Sequence, residues 1–411
     1  MDPVVRRARV AVAALFLTNG ALFANLVPRY PEIKDDLGMS NATYGLAVAA
    51  FPAGAIAAGV AAGFLVRRFG SARVAAAGTV LTSVGVLVAG LSPSLGLLVV
   101  AMFAGGAMDA STDVAQNAHG LRVQRRYGRS ILNSFHAVWS IGAVLGGSMA
   151  AAAIALDVPR GVHLAVTGAL FSAVALVALR FCLPGLDDAD RAAGPDGEGH
   201  GAGAGSAAAR AARLRTGLVL AALVLVAVAG ALVEDAGSSW AAVYLSGALG
   251  AASAVAAAGF VALVGAQFVG RMLGDRFVDR FGQRAVARTG GLLVAVGTGL
   301  ALAFPTVPGT VAGFACAGFG VATLVPAAMH EADELPGLRA GTGLTVVSWL
   351  MRLGFLLSPP VVGLVADATS LRVGLLVLPL AGLVVIVAAG VLSGRRTVRP
   401  EPQRTGEIMS A

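Results

Sequence analysis

Apolar runs of about 20 residues recur along the whole chain, and they constrain its fold more than any other feature. A helix of that length crosses the ~30 Å hydrocarbon core of a bilayer, where each backbone N–H and C=O must be satisfied within its own segment. Twelve such spans are expected, near residues 9–28, 42–66, 73–92, 95–120, 130–155, 162–183, 214–238, 251–274, 285–304, 309–330, 340–364 and 372–393. Barrel strands would be about 10 residues long with alternating polarity, and these runs do not alternate. Only 13% of the residues are charged, against roughly 25% in soluble domains. The expected fold class is an all-α membrane protein with 12 transmembrane helices.

A net charge of +8 would suit a nucleic-acid partner, but the placement of the basic residues argues against it. Of 30 Lys and Arg, 25 fall at the amino terminus, on alternate loops, in the middle of the chain or in the tail. Arg29, Lys34, Arg160 and Arg372 fall on the other side, and Arg352 reads as the one basic residue inside a span. This positive-inside bias predicts a multi-pass protein of the cytoplasmic membrane with both termini in the cytoplasm. The Arg-rich start resembles a signal peptide, but the apolar run is long and eleven more follow, so retention is expected. Cys182 and Cys316 lie in or at the end of different spans, which argues against a disulfide or a metal site. No cofactor is expected.

Residues 184–213 break the pattern with an acidic stretch and a Gly/Ala run, Gly199 to Gly205. They read as a flexible linker. The expected organisation is therefore a six-helix bundle over 1–184, a linker over 185–213, a second bundle over 214–393 and a polar tail over 394–411.

Span 4 carries Asp109 and Asp113, four residues apart and hence on one helical face, which Asn117 extends. Gln116 lies beside it. A carboxylate at the bilayer centre costs roughly 2.5–3.5 kcal/mol on the insertion scale, so two on one face imply a wet cavity or buried partners. Spans 4 and 5 form a hairpin around Gln124–Arg125, and residues equidistant from that turn share a depth. Asp113 then matches His136, Asp109 matches Ser140, and Asn117 roughly matches Asn133. A carboxylate and an imidazole at one depth either share a proton near neutral pH or form a permanent clasp between the helices. Arg352, with Trp349 nearby, sits at the middle of span 11 and calls for a partner there: Asp109 across the cavity, a substrate carboxylate or phosphate, or only water. Asn19 in span 1 and Trp139 in span 5 are further cavity candidates. Glu234, Asp235 and Trp240 are placed toward the outer end of span 7, as an interfacial belt or an outer gate. His163 and His200 read as surface or linker residues, and His330 with Glu331 as solvated. Gly54-x-x-x-Ala58-x-x-x-Ala62 and Gly270-x-x-x-Gly274 suggest close helix packing.

The loop after span 2 contains Gly63, Arg67, Arg68, Gly70 and Arg73; the loop after span 8 contains Gly274, Asp275, Arg276, Asp279, Arg280, Gly282 and Arg284. Each has an Arg-x-Gly core at the same place in its half. The pair resembles the loop motif G-x-x-x-D-R-x-G-x-R/K of the major facilitator superfamily, as do the span count and the central linker. Arg67 replaces the motif's Asp in the first copy, and Asp275 stands where the leading Gly of the second would be. The resemblance implies two pseudo-symmetric six-helix bundles, alternating access, and a cytoplasmic gate built on Arg67, Arg68, Asp275, Arg276, Asp279 and Arg280. Asp113 to Asn117, Ser134 to Ser140 and Glu234 to Leu245 resemble the fucose-permease-like branch and its bacterial inner-membrane relatives. That likeness implies proton coupling through a fourth-span carboxylate, Asp109 or Asp113. The sugar permease's first-span carboxylate is replaced by Asn19 and Asn25, so a sugar substrate does not carry over. Gly142-Ala-Val-Leu-Gly146-Gly147 resembles the antiporter motif G-P-x-x-G-G without its proline, which keeps efflux open.

The expected function is secondary active transport of a small hydrophilic organic solute, with protons as coupling ion and the lipid bilayer as surroundings. Drug or metabolite efflux by proton antiport, or a transporter-like protein that no longer transports, are the alternatives. A monomer is expected. No Walker loop, protease or metal-binding signature is present, so enzymatic activity is not expected.

Overall fold

In a computed structural model the protein is described over residues 2–128, 131–185, 207–338 and 342–394. The predicted linker and tail lie mostly outside the described residues, as does His200. Twelve helical segments are long and apolar enough to cross a membrane. They are α1 (Pro3–Leu26), α2 (Asn41–Phe69), α3 (Ser71–Gly90), α4 (Leu95–Tyr127), α5 (Leu132–Ala155) and α6 (Arg160–Leu179). The second set is α7 (Ala207–Val243), α8 (Ser253–Phe281), α9 (Gln283–Ala303), α10 (Val307–Val321, continued by Leu324–Asp333), α11 (Thr342–Leu350, then Arg352–Ala368) and α12 (Leu371–Gly374, then Val377–Ala388). A short helix, Tyr30–Asp36, prolongs α1. Below, the near face is the one holding the start of α1, and the far face is its opposite.

The halves repeat one packing scheme. In the first, α1 packs on α5 and α6, α4 on α2 and α3, and α3 on α6. In the second, α7 packs on α11 and α12, α10 on α8 and α9, and α9 on α12. The duplicated loop motif has a matching backbone. Gly70 ends α2 at φ 85° and Gly282 ends α8 at φ 84°, a conformation that favours glycine. Their N–H groups bond to the carbonyls of Val66 at 2.9 Å and Val278 at 2.7 Å.

Glycines set the helix spacing. A Cβ on Gly20 would strike the Trp139 carbonyl, and one on Gly142 or Gly146 would strike the carbonyl of Leu17 or Ala21, so α1 and α5 touch backbone to backbone. Gly54 meets the Phe103 carbonyl in the same way, and Gly270 packs on Phe319 and Ala322. The antiporter-like glycines are thus accounted for by packing: Gly142 and Gly146 face α1, while Gly147 faces Phe260 in the other half.

The halves meet along α2–α11 and α5–α8. On the far side Gly45 rests on Pro359 and Gly363 on Asn41. Asp367 of α11 accepts from Asn41 N at 2.9 Å and Ala42 N at 2.8 Å, so one half caps a helix of the other. Tyr44 donates to the Ser239 carbonyl at 2.6 Å. An aromatic series, Phe23, Tyr30, Tyr44 and Trp240, runs through this seam with ring centroids 6.4, 5.8 and 4.8 Å apart. At the near face Arg67, Arg68, Asp275, Arg276, Asp279 and Arg280 are exposed, and no ion pair joins them among the described residues.

Candidate functional site

The polar residues of α1, α4 and α5 form one network at mid-depth. Asn19 is its hub: Nδ2 donates to Asp109 Oδ1 at 2.7 Å, while Oδ1 accepts from Trp139 Nε1 at 2.9 Å and from Gln116 Nε2 at 3.4 Å. Asn19 occupies this place because Gly20 and Gly142 bring α1 against α5. One turn toward the near face, Asp113 Oδ1 accepts from Asn117 Nδ2 at 2.9 Å and from Gln116 Nε2 at 3.3 Å. The pattern read from i, i+4 spacing is therefore realised, with amides donating to one oxygen of each carboxylate.

Asp113 and His136 are electrostatic neighbours, as their shared depth predicts. No hydrogen bond joins them among the described residues, so they are not a helix-to-helix clasp. His136 is exposed and makes an edge contact with Phe16, ring centroids 5.2 Å apart. Ser140 Oγ bonds back to the His136 carbonyl at 3.2 Å.

The second half supplies positive charge, and here the structure corrects the sequence reading. Arg352 is not alone within a span. Arg271, counted above with the loop residues, lies inside α8. Its Nη2 stands 3.6 Å from Glu234 Oε2, its Nη1 lies 3.3 Å from Ser140 Oγ in the other half, and its guanidinium is 5.9 Å from the Trp139 ring centroid. Glu234 therefore faces the centre rather than the outer end of α7, because that helix continues to Val243. Arg352 opens the second segment of α11, just past a break at Met351. Its acidic neighbour is Asp113, not Asp109. Trp349 sits before that break with more than half of its surface exposed.

Trp240 belongs to the seam: it is fully buried against Tyr44. Nearby, Asp235 Oδ2, Tyr30 OH and Trp240 Nε1 are sealed from solvent without hydrogen-bond partners among the described residues. His163 is buried rather than superficial, with Nε2 2.9 Å from Asn25 Oδ1. Glu331 is not simply solvated, since it accepts from Ser393 N at 2.9 Å. It has a counterpart in the first half. His119 of α4 accepts from Leu183 N at 3.1 Å and faces Ser71 Oγ at 2.8 Å, while Arg122 holds the carbonyls of Pro184 and Gly185. In each half, the near end of the fourth helix anchors the chain leaving the sixth.

Twelve spans in two matched bundles, closing around charged groups at mid-depth, define a polytopic transporter. The model of the Major Facilitator Superfamily matches residues 12–277 and 237–408, and the chain belongs to that family. It is 31% identical to an uncharacterised transporter, y4wD, of Sinorhizobium fredii, over 93% of this chain and 97% of that one. It is 29% identical to the membrane protein MosC of Rhizobium meliloti, over 95% and 92% of the two chains. A mutant of the nucleoside transporter NupG shares the fold at TM-score 0.74 and 12% identity, over 93% of this chain and 99% of that one. A D-xylose–proton symporter does so at 0.71 and 18%, over 94% and 96%.

Proposed function

We propose that the protein is a proton-coupled carrier that moves a small hydrophilic organic solute across the cytoplasmic membrane by alternating access. The observation that carries this reading is the Asn19–Asp109–Trp139 network facing Arg271 and Arg352 of the other half. Charged groups from both halves at one depth give a solute contacts that change when the halves move. The halves are in contact on the far side, and no ion pair joins the gate residues on the near side among the described residues, which corresponds to a state open to the cytoplasm. Closing that side would bring Asp275, Arg276, Asp279 and Arg280 toward Arg67 and Arg68 as a gate.

Asp113, beside His136 and Arg352, is the proton-handling group of this scheme, and Asp109 is its solute-side partner. One proton moving through about 150 mV supplies roughly 3.5 kcal/mol, a few hundredfold in concentration. Export would use the same groups in reverse. A single chain holds both halves of the site, as expected for a monomer.

The test has two stages. A thermal-shift screen of metabolite pools against wild type and Asp109→Asn should find solutes that stabilise the wild type more; equal stabilisation would remove Asp109 from the site. Proton flux into proteoliposomes driven by a stabilising solute should then be lost in Asp113→Asn. Unchanged proton movement would end the coupling role of Asp113.

A further inference from the structure

The arginines of this protein are bonded in two ways. Near the far face Arg29 and Arg160 hold short bonds to acids, although Arg29 Nε is buried without a partner among the described residues. Arg29 gives Nη1 to Glu32 Oε1 at 2.7 Å and Nη2 to the Val158 carbonyl at 2.8 Å, and Arg160 reaches Asp36 Oδ2 at 2.7 Å. At the centre the pattern reverses. Arg271 approaches Glu234 at a single point, 3.6 Å away, and a hydroxyl at 3.3 Å. Among the described residues no partner takes its Nε, and none bonds Arg352 at all.

A guanidinium carries five N–H donors in a planar fork that fits the two oxygens of a carboxylate. Arg271 is exposed and Arg352 partly exposed, so those donors are open to water and available to a solute that displaces it. The neighbouring acids are not positioned to take them. Asp109 and Asp113 each give Oδ1 to an amide, of Asn19 and Asn117, at 2.7 and 2.9 Å, and neither bonds a guanidinium among the described residues. The three acids Asp109, Asp113 and Glu234 also limit how much added negative charge the centre tolerates, which favours a monoanion over a phosphate ester. Opposite the arginines, the first half offers amides and a hydroxyl, suited to hydroxyl groups, and the flat face of Trp139.

We infer that Arg271 and Arg352 form an oxyanion subsite, and that the solute is a small hydroxylated monocarboxylate. Its carboxylate docks on the two guanidinium groups, displacing Glu234 from Arg271, and its hydroxyls meet the amide wall of the first half. This deepens the transport reading and rests on it.

The experiment uses the full-length protein in detergent and three acids, D-gluconate, L-threonate and D-galacturonate. Each is paired with its neutral counterpart, D-glucitol, L-threitol or D-galactose, and thermal stabilisation is followed against concentration. At least one acid should stabilise saturably where its counterpart does not. Arg271→Gln should weaken that binding about tenfold or more, and Arg271→Lys, which keeps the charge but loses the fork, severalfold. Should Arg271→Gln fail to fold, Arg352→Gln provides the same comparison. The subsite is overturned if no acid outperforms its neutral partner, or if the glutamine variants bind the acid as the wild type does. Accumulation of a neutral polyol in proteoliposomes would leave the transport reading standing and remove the subsite. Acid binding without accumulation would do the opposite.

Discussion

The two halves share one helix-packing scheme and divide the polar chemistry between them. In the first half the mid-membrane charges are acids, each held by a side-chain amide within 3 Å. In the second they are Arg271 and Arg352, which lack comparably close partners among the described residues, together with Glu234 at 3.6 Å. Backbone symmetry is set by glycines and by the duplicated turn at Gly70 and Gly282. That symmetry is broken in the polar groups, with amide-bonded acids on one side and guanidinium groups with fewer close partners on the other.

The strongest way to break this comparison is to reverse a charge on the donor side. Arg271→Glu would set a second carboxylate beside Glu234, and solute flux into proteoliposomes should fall about 100-fold, close to 3 kcal/mol of lost interaction. Flux within a few-fold of wild type would show that the second half's charge is ornamental. The acceptor wall is tested by Asn19→Leu, which strips hydrogen bonds from Asp109 and Trp139 at once. Two partners left unpaired should lower thermal stability by about 1–3 kcal/mol and solute affinity about tenfold. Unchanged affinity with lowered stability would reduce Asn19 to a scaffold residue.

Packing symmetry is probed by Gly146→Val, which pushes a side chain into the Ala21 carbonyl. About 1–3 kcal/mol of destabilisation is expected from overpacking, read as a lower unfolding temperature. His119→Ala should cost about 1–2 kcal/mol through loss of Ser71 and Leu183 while leaving solute affinity unchanged, because it lies at the near end, away from the arginines. A change in affinity would mean that the chain anchor reports on the centre. The smallest effect is expected from Arg67→Ala. An exposed charge with no ion pair among the described residues should alter stability by less than about 0.5 kcal/mol and flux by less than about threefold.

Most of the fold was legible in the sequence, because hydropathy and loop charge respond to the same bilayer that fixes helix length. Ends were less legible. α1 is prolonged by the Tyr30–Asp36 helix, and α7 runs past the expected end of its span to Val243, which moves Glu234 from rim to centre. In the site, the i, i+4 face of α4 and the level of Asp113 with His136 were readable from geometry along one hairpin. Arg271 was not, since a basic residue near the near-face end of a span looks like part of the loop. The same depth count applied to the α8–α9 turn would have found it: Arg271 stands 11 residues before Gly282, much as Asp113 stands before the α4–α5 turn. Asn19 as a hub was beyond reach, because its partners come from helices about 90 and 120 residues away and depend on a glycine contact that carries no hydropathy signal.

The cap that Asp367 places on α2 bears on how readily the far side can open. Ser40 already caps that helix at Thr43 N, and Asp367 covers Asn41 N and Ala42 N from the partner half. These two N–H groups are exposed, so water can take over from the carboxylate as the helices separate, at a net cost of only about 1.5–3 kcal/mol for bonds to a charged group. Elsewhere the seam relies on snug backbone contact and the Tyr44 hydroxyl, with no buried ion pair among the described residues. Such a joint works as a balanced latch. Turning a 1:99 ratio of two shapes into 99:1 takes about 5.5 kcal/mol, within the range that one well-fitted small molecule and one proton supply together.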